Sequence, residues 1–276
     1  MSSSITYTTT LDVRRRETAE YLATLLASHR VALGTRTGRR ALDPFNQAVL
    51  VPRWFLDSTR VRQLAADNHI STSTAYTYLH EGIDVLAAQA PDLADALTTA
   101  HQAGLTHLNL DGTVIRTDRI HTPGPHGSDL WWSGKHKHHG GNIQVLSAPD
   151  GWPLWVSDVR PGREHDTTCA RAAHGLLAAL ATADAHGVPT LGDLGYEGLS
   201  PAIRHPVKKP KGHDLTDEHQ AYNALIRGVH ALAERANSLL KTTFKALRRV
   251  SLDPNRIGAI AKAALVLLRL EYNRTS

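Results

Sequence analysis

The sequence predicts an α+β chain, a small all-α region followed by a mixed sheet with flanking helices. Three features carry that expectation. From residue 11 to about residue 103 apolar side chains recur at helical spacing; from 105 to 159 they take the period of strands, broken by short turns; and from 167 helical spacing returns, interrupted by one short strand at 189–192. The expected division is therefore 1–103, helical, and 104–276, the sheet with its helices.

Residues 11–33 mix charged and apolar groups around a stripe of Leu22, Leu25 and Leu26, and a Gly-Thr-Arg-Thr-Gly-Arg-Arg linker follows. Ser58 and Thr59 are expected to cap a helix carrying Val61, Leu64 and Ala65. Asn68-His69 supplies a turn able to take a positive φ, and Ser71 caps a second helix carrying Ala75, Tyr78 and Leu79. This spacing, over about 58–82, is that of a helix-turn-helix, though an ordinary antiparallel helix pair satisfies it too. In the first case Thr72, Ser73, Thr74 and Thr77 face a DNA major groove.

Strands are expected at 105–110, ending at Asp111, and at 130–139, 142–147 and 154–159, with Gly140-Gly141 and Pro149-Asp150-Gly151 as turns. A helical stretch at 167–186 precedes the strand ending at Asp193. One long helix then covers 217–247, and an apolar helix at 257–270 is expected to pack under the sheet. A meander, a crossover helix and a further strand is the order of a ribonuclease H-like fold. In that arrangement the strands ending at Asp111 and Asp193 lie side by side.

Lys and Arg number 31 against 26 Asp and Glu, and a pI near 9.4 suits a polyanionic partner, although a mildly basic enzyme shares it. The single cysteine, Cys169, excludes an internal disulfide or a multi-cysteine zinc site and reads as a packing residue in a reducing, cytoplasmic setting. The N-terminus lacks a basic head followed by an apolar core, and the apolar stretch 257–268 is short and interrupted by Lys262, so no secretion or membrane span is expected.

Asp111, Asp193 and Glu234 carry the chemistry. Two aspartates on neighbouring strands, faced by a helical glutamate, form a hard oxygen cage. Such a cage suits two divalent ions, Mg²⁺ or Mn²⁺, on the order of 4 Å apart, acting on a phosphodiester. Each residue alone has a plainer reading: Asp111-Gly112 is a common turn pair, and Glu234 fits any solvated helix face. At 100° per residue, Leu225, Val229, Leu232, Ala236, Leu240 and Leu247 share one side of the 217–247 helix, and Arg227, His230, Glu234, Lys241 and Lys245 the other. Cations beside a metal-bound glutamate would grip the phosphates of DNA.

Asp111-Gly112-Thr113, Pro161-Gly162-Arg163-Glu164-His165-Asp166, Gly192-Asp193-Leu194-Gly195-Tyr196-Glu197-Gly198 and Glu234-Arg235-Ala236-Asn237-Ser238-Leu239-Leu240-Lys241 resemble, in order, the blocks of DDE transposases of bacterial insertion sequences. The resemblance covers roughly residues 45–270. It implies that Asp111, Asp193 and Glu234 are catalytic metal ligands and that Lys241 contacts phosphate. His165-Asp166 receives no ligand role. Some of these transposases carry Tyr and Arg seven and four residues before the glutamate, where this chain has Arg227 and His230.

His136, His138 and His139 read as a basic DNA-facing strand rather than a zinc site, because no carboxylate or thiolate accompanies them. Arg204, Lys208, Lys209 and Lys211 read as a solvated loop, and Trp131, Trp132, Trp152 and Trp155 as core.

The reading as a whole is a nucleoid-associated transposase. It binds terminal inverted repeats of double-stranded DNA through Thr72, Ser73, Thr74, Thr77, His230, Lys241 and Lys245, cleaves, and joins the ends to target DNA as a homodimer. No ATP-binding loop appears. The rivals are a repurposed transposase that binds DNA without cutting, and a stand-alone metal-dependent nuclease.

Overall fold

The computed structural model describes residues 13–124 and 127–274, so residues 11 and 12 of the first helical stretch, and the N-terminal segment read for a leader, lie outside it. The chain divides into two compact units. Among the described residues, the first holds those up to Ala90 together with Thr243–Ala246 and those from Lys262 onward; the second holds those of Pro91–Thr242 and Leu247–Ala261. The division thus falls before the predicted 103, and the end of the chain returns to the first unit. No helix among the described residues is long and apolar enough to cross a membrane.

The first unit is helical: α1 (Val13–Ala32), α2 (Pro44–Asp57), α3 (Val61–Asp67) and α4 (Thr72–Ala87). Asp43 starts α2 by accepting from the Asn46 N–H at 2.8 Å, with Pro44 at the first turn, where a missing N–H costs nothing. Ser58 does not cap α3 as expected. It takes φ 56° and closes α2 by donating its N–H to the Trp54 carbonyl, so α3 starts after Arg60 with no side-chain cap. The α3–α4 turn follows expectation: His69 has φ 53°, and the Ser71 hydroxyl accepts from the Thr74 N–H at 3.1 Å. Leu22, Leu26, Phe55, Leu64, Leu79, Ile83 and Leu86 are buried, joined by Phe244, Leu265 and Leu268. Gly82 lets α4 lie directly on Val51, since a Cβ there would overlap its side chain.

The second unit contains α5 (Leu93–Gln102), β1 (Leu108–Arg116), β2 (Trp132–Ser133), β3 (His138–Ser147), β4 (Pro153–Val156), β5 (Arg160–Pro161), α6 (Asp166–Ala172), α7 (Leu176–Ala185), β6 (Thr190–Leu191), β7 (Ile203–Arg204), α8 (Asp217–His230) and α9 (Ala233–Thr243). The strand order is β2-β3-β1-β6-β7, with β4 and β5 also pairing on β3. β1 runs antiparallel to β3, from Asn109 opposite Ser147 to Arg116 opposite Gly140. It runs parallel to β6, and β6 runs parallel to β7. This mixed sheet flanked by helices is the α+β, ribonuclease H-like arrangement.

Five local expectations are corrected. Gly140-Gly141 lies inside β3 rather than in a turn: a Cβ on Gly140 would sit 2.6 Å from the Ile115 carbonyl oxygen, so the glycines serve close packing. The 130–139 strand shrinks to β2, and residues 134–137 form the turn into β3, with Lys137 at φ 56°. The 217–247 helix breaks at Ala231-Leu232, and the 167–186 helix breaks before Gly175, which has φ 72°. The last helix, α10 (Ile257–Glu271), contributes only its start to the sheet unit; from Lys262 it belongs to the first.

Candidate active site

Asn109 and Leu191 are the last parallel pair between β1 and β6, and Asp111 and Asp193 each lie two residues further on, so the two carboxylates occupy equivalent positions. Asp193 leaves its strand and caps the 3-10 turn Leu194–Tyr196, accepting from the Gly195 N–H at 2.8 Å. Asp111, expected at a strand end, is in mid-strand, opposite Val145; Gly112 continues β1 opposite Gln144. The glycine has a packing reason. A Cβ at position 112 would overlap the carboxylate of Asp166, the first residue of α6, which therefore lies against β1 beside Asp111.

Asp166 lies in a family block and was given no ligand role from the sequence; the further signal available was the glycine that follows Asp111. The Asp166 carboxylate is held by a buried polar chain: the Tyr196 hydroxyl donates to Gln144 at 2.6 Å, Gln144 Nε2 to Asn142 Oδ1 at 3.1 Å, and Asn142 Nδ2 to Asp166 at 2.8 Å. Every link but the last joins groups that are essentially solvent-free, where an unpaired polar group is costly, so the chain fixes its members together. It ties the turn that carries Asp193 to the start of α6. Burial, reinforced by the charges of Asp166, Asp111 and Asp193, pushes the Tyr196 phenol well above its usual range, so it stays a donor.

The Asp111 carboxyl is pushed up to about 6. Burial is the main cause, the charges of Asp193 and Asp166 add to it, and His230 and a 2.7 Å hydrogen bond from Asn237 oppose it. The His230 ring lies 3.3 Å from the Leu110 carbonyl oxygen. Asn237 was not singled out in the sequence; it projects from α9 with its other amide atom, Oδ1, buried and without a hydrogen-bond partner. One turn on, Lys241 Nζ donates to the Thr113 hydroxyl at 2.6 Å and to the Val114 carbonyl at 3.3 Å. Burial lowers its pKa, and Asp111 opposes that shift.

Glu234 is exposed in the first turn of α9 and shares a cleft of about 240 Å³ with Asp193, His230, Arg227, Gly192, Pro206 and Ala231. The structure thus brings Asp111, Asp193 and Asp166 together. It sets Glu234 beside Asp193 and leaves it among solvent-facing groups. Among the described residues no three His, Cys, Asp or Glu side chains are close enough to hold a metal ion.

The other predicted contacts are placed as follows. Lys245 lies past the end of α9, in the 3-10 turn Lys245–Arg248, within the first unit and 3.7 Å from Asp57. Thr72, Ser73 and Thr77 are exposed on α4 and Thr74 is half-buried. Thr77 donates to the Ser73 carbonyl, and Ser71 bonds the hydroxyls of Ser73 and Thr74. Arg204 pairs with Asp184, Lys208 with Glu197 and Lys209 with Asp214. Three of the four sheet tryptophans are core; Trp132, expected there, is 41% exposed.

The family profile described as DDE superfamily endonuclease matches residues 110–269, more than half of the chain. The chain belongs to the DDE superfamily endonucleases. The match begins one residue before Asp111 and includes Asp193, Glu234 and Lys241. No curated protein and no solved structure matches the chain. DDE-type endonucleases generally use divalent metals. The donor types here suit that use: Asp111, Asp193 and Asp166 offer only oxygen atoms, and their charges add to burial in lifting the Asp111 carboxyl, a repulsion that a hard divalent cation would relieve once the side chains close on it.

Proposed function

We propose that this DDE endonuclease is a transposase that binds the terminal inverted repeats of an insertion sequence, cleaves at them and joins the freed 3′-hydroxyls to target DNA. The observation that carries the proposal is the equivalent placement of Asp111 and Asp193 on parallel neighbours, faced by α9 with Asn237 and Lys241. Asp111, Asp193 and Glu234 would hold Mg²⁺ or Mn²⁺, and a bound divalent ion activates the attacking oxygen and offsets charge on the leaving one. The rest is done by the chain's own groups. Asn237 orients the Asp111 carboxylate through its amide, and the Tyr196–Gln144–Asn142 chain holds Asp166 at the same face. Lys241, pinned on Thr113, presents a fixed positive charge where a phosphate near the scissile bond would lie. His230 and Lys245 add DNA contacts, and Thr72, Ser73, Thr74 and Thr77 read the repeat.

Joining two ends calls for a dimer on DNA. The test is a strand-transfer assay with the DNA that flanks this gene and a supercoiled target plasmid, in Mg²⁺ or Mn²⁺. Joined products that vanish in the Asp193→Ala protein support the proposal. Nicking without joining indicates a nuclease, and retained binding without any cleavage indicates a repurposed DNA-binding protein.

A further inference from the structure

The turn between β2 and β3 is built as a rigid, exposed aromatic and basic tip. Of the five tryptophans, Trp54, Trp131, Trp152 and Trp155 are buried, while Trp132 stands 41% exposed. Its ring meets the edge of His139 at 5.2 Å, and His139 is anchored in turn, its Nε2 lying 3.2 Å from Asp129. Asp129 also accepts from the Trp131 N–H at 3.0 Å, and Gly140 donates to the Trp131 carbonyl at 2.9 Å. The tip is closed by the Lys137 N–H on the Ser133 carbonyl at 2.8 Å, which holds Lys137 in the left-handed region. Lys135, His136 and Lys137 are all exposed around it.

The tip also lies at the rim of the acidic site. Lys135 Nζ is 3.8 Å from Asp166, and His136 lies within electrostatic reach of both Asp166 and Lys241. A strand whose phosphate reaches Asp111 and Asp193 therefore passes the hairpin. A single exposed ring flanked by lysines suits an unpaired base with phosphates on either side, whereas the bases of a duplex are already stacked on one another. We propose that Trp132, Lys135 and Lys137 form a single-stranded-DNA subsite in which an unpaired base next to the scissile phosphate stacks on Trp132. This rests on the reading of DNA as the substrate and adds to it the strand state that the enzyme holds at the cut.

The experiment is binding of the full chain to fluorescein-labelled dT20 and to a duplex of equal length, in EDTA, by anisotropy and by tryptophan emission. The wild-type protein should bind dT20 with quenching of its emission. Trp132→Phe should abolish the quenching yet keep affinity within about threefold, and Trp132→Ala should weaken dT20 binding about tenfold or more. The double variant Lys135→Ala/Lys137→Ala should reduce the salt dependence of dT20 binding by a slope of about 1.4. The proposal is overturned if the wild-type protein does not bind dT20, if quenching survives in Trp132→Phe, or if the variants weaken duplex binding alone. Should Trp132→Ala fail to fold, the phenylalanine and lysine variants still decide. No metal or cleavage enters the assay, so an inactive wild-type enzyme would count against the endonuclease reading and leave this result interpretable.

Discussion

Asp111 is the residue on which the site's electrostatics turn. Its carboxyl, near 6, lies above the 3.8 of an unperturbed aspartate, so the native protein keeps that proton to higher pH than the unfolded chain does. Between about pH 4 and 6 the unfolded state binds fewer protons, and stability falls as pH rises through that window. Above it the cost is on the order of 2–3 kcal/mol. Asp111→Asn should therefore raise the Tm by several degrees at pH 8 and leave it unchanged near pH 4, as followed by calorimetry in EDTA. A Tm gain independent of pH would refute this origin. Gly112→Ala places a methyl group on the Asp166 carboxylate and should cost about 1–3 kcal/mol by urea unfolding. Lys241→Ala should slow single-turnover cleavage by at least tenfold, while Lys245→Ala, paired with Asp57 in the other unit, changes it less than twofold. Equal effects at both positions would make the Lys241 contact incidental. At this scale Asp111 and Asp193 were legible because strand patterning exposes strand-borne acids. Asp166 and Asn237 were not, since their roles arise from a glycine's missing side chain and from a helix docked across the sheet.

At the scale of elements, most helices and strands were legible from periodicity, and the departures have local causes. Gly140-Gly141 resembles a turn by composition, yet both residues serve the close approach of neighbouring groups, which no short-range pattern records. The 217–247 wheel assumed one axis. With the break at Ala231-Leu232, Leu225 and Leu232 are exposed while Ile226, Ala233, Ala236 and Leu240 are buried. The first unit owes part of its core to Phe244, Leu265 and Leu268, from the far end of the sequence. A chain ending at residue 256 should thus lose the cooperative unfolding of its helical unit, because removing each such leucine costs about 2–5 kcal/mol. Two-state thermal unfolding of that truncated protein with an unchanged Tm would contradict the assignment of α10.

For the whole molecule, the sheet order is that expected of the family whose profile the chain matches, the DDE superfamily endonucleases. The fold class was legible because strand and helix periods alternate in an order with few topological solutions. The grouping of α5 with the sheet, and of the chain's end with the helices, follows from long-range packing that sequence spacing does not encode. The most direct measurement is cleavage of DNA flanking this gene by the wild-type, Asp111→Ala, Asp193→Ala and Glu234→Ala proteins, each with Mg²⁺ and with EDTA, alongside gel-shift affinity. The account predicts Mg²⁺-dependent cleavage by the wild-type protein alone, with affinity largely kept in all four. Substantial Mg²⁺-dependent cleavage by Asp111→Ala, Asp193→Ala or Glu234→Ala would contradict it.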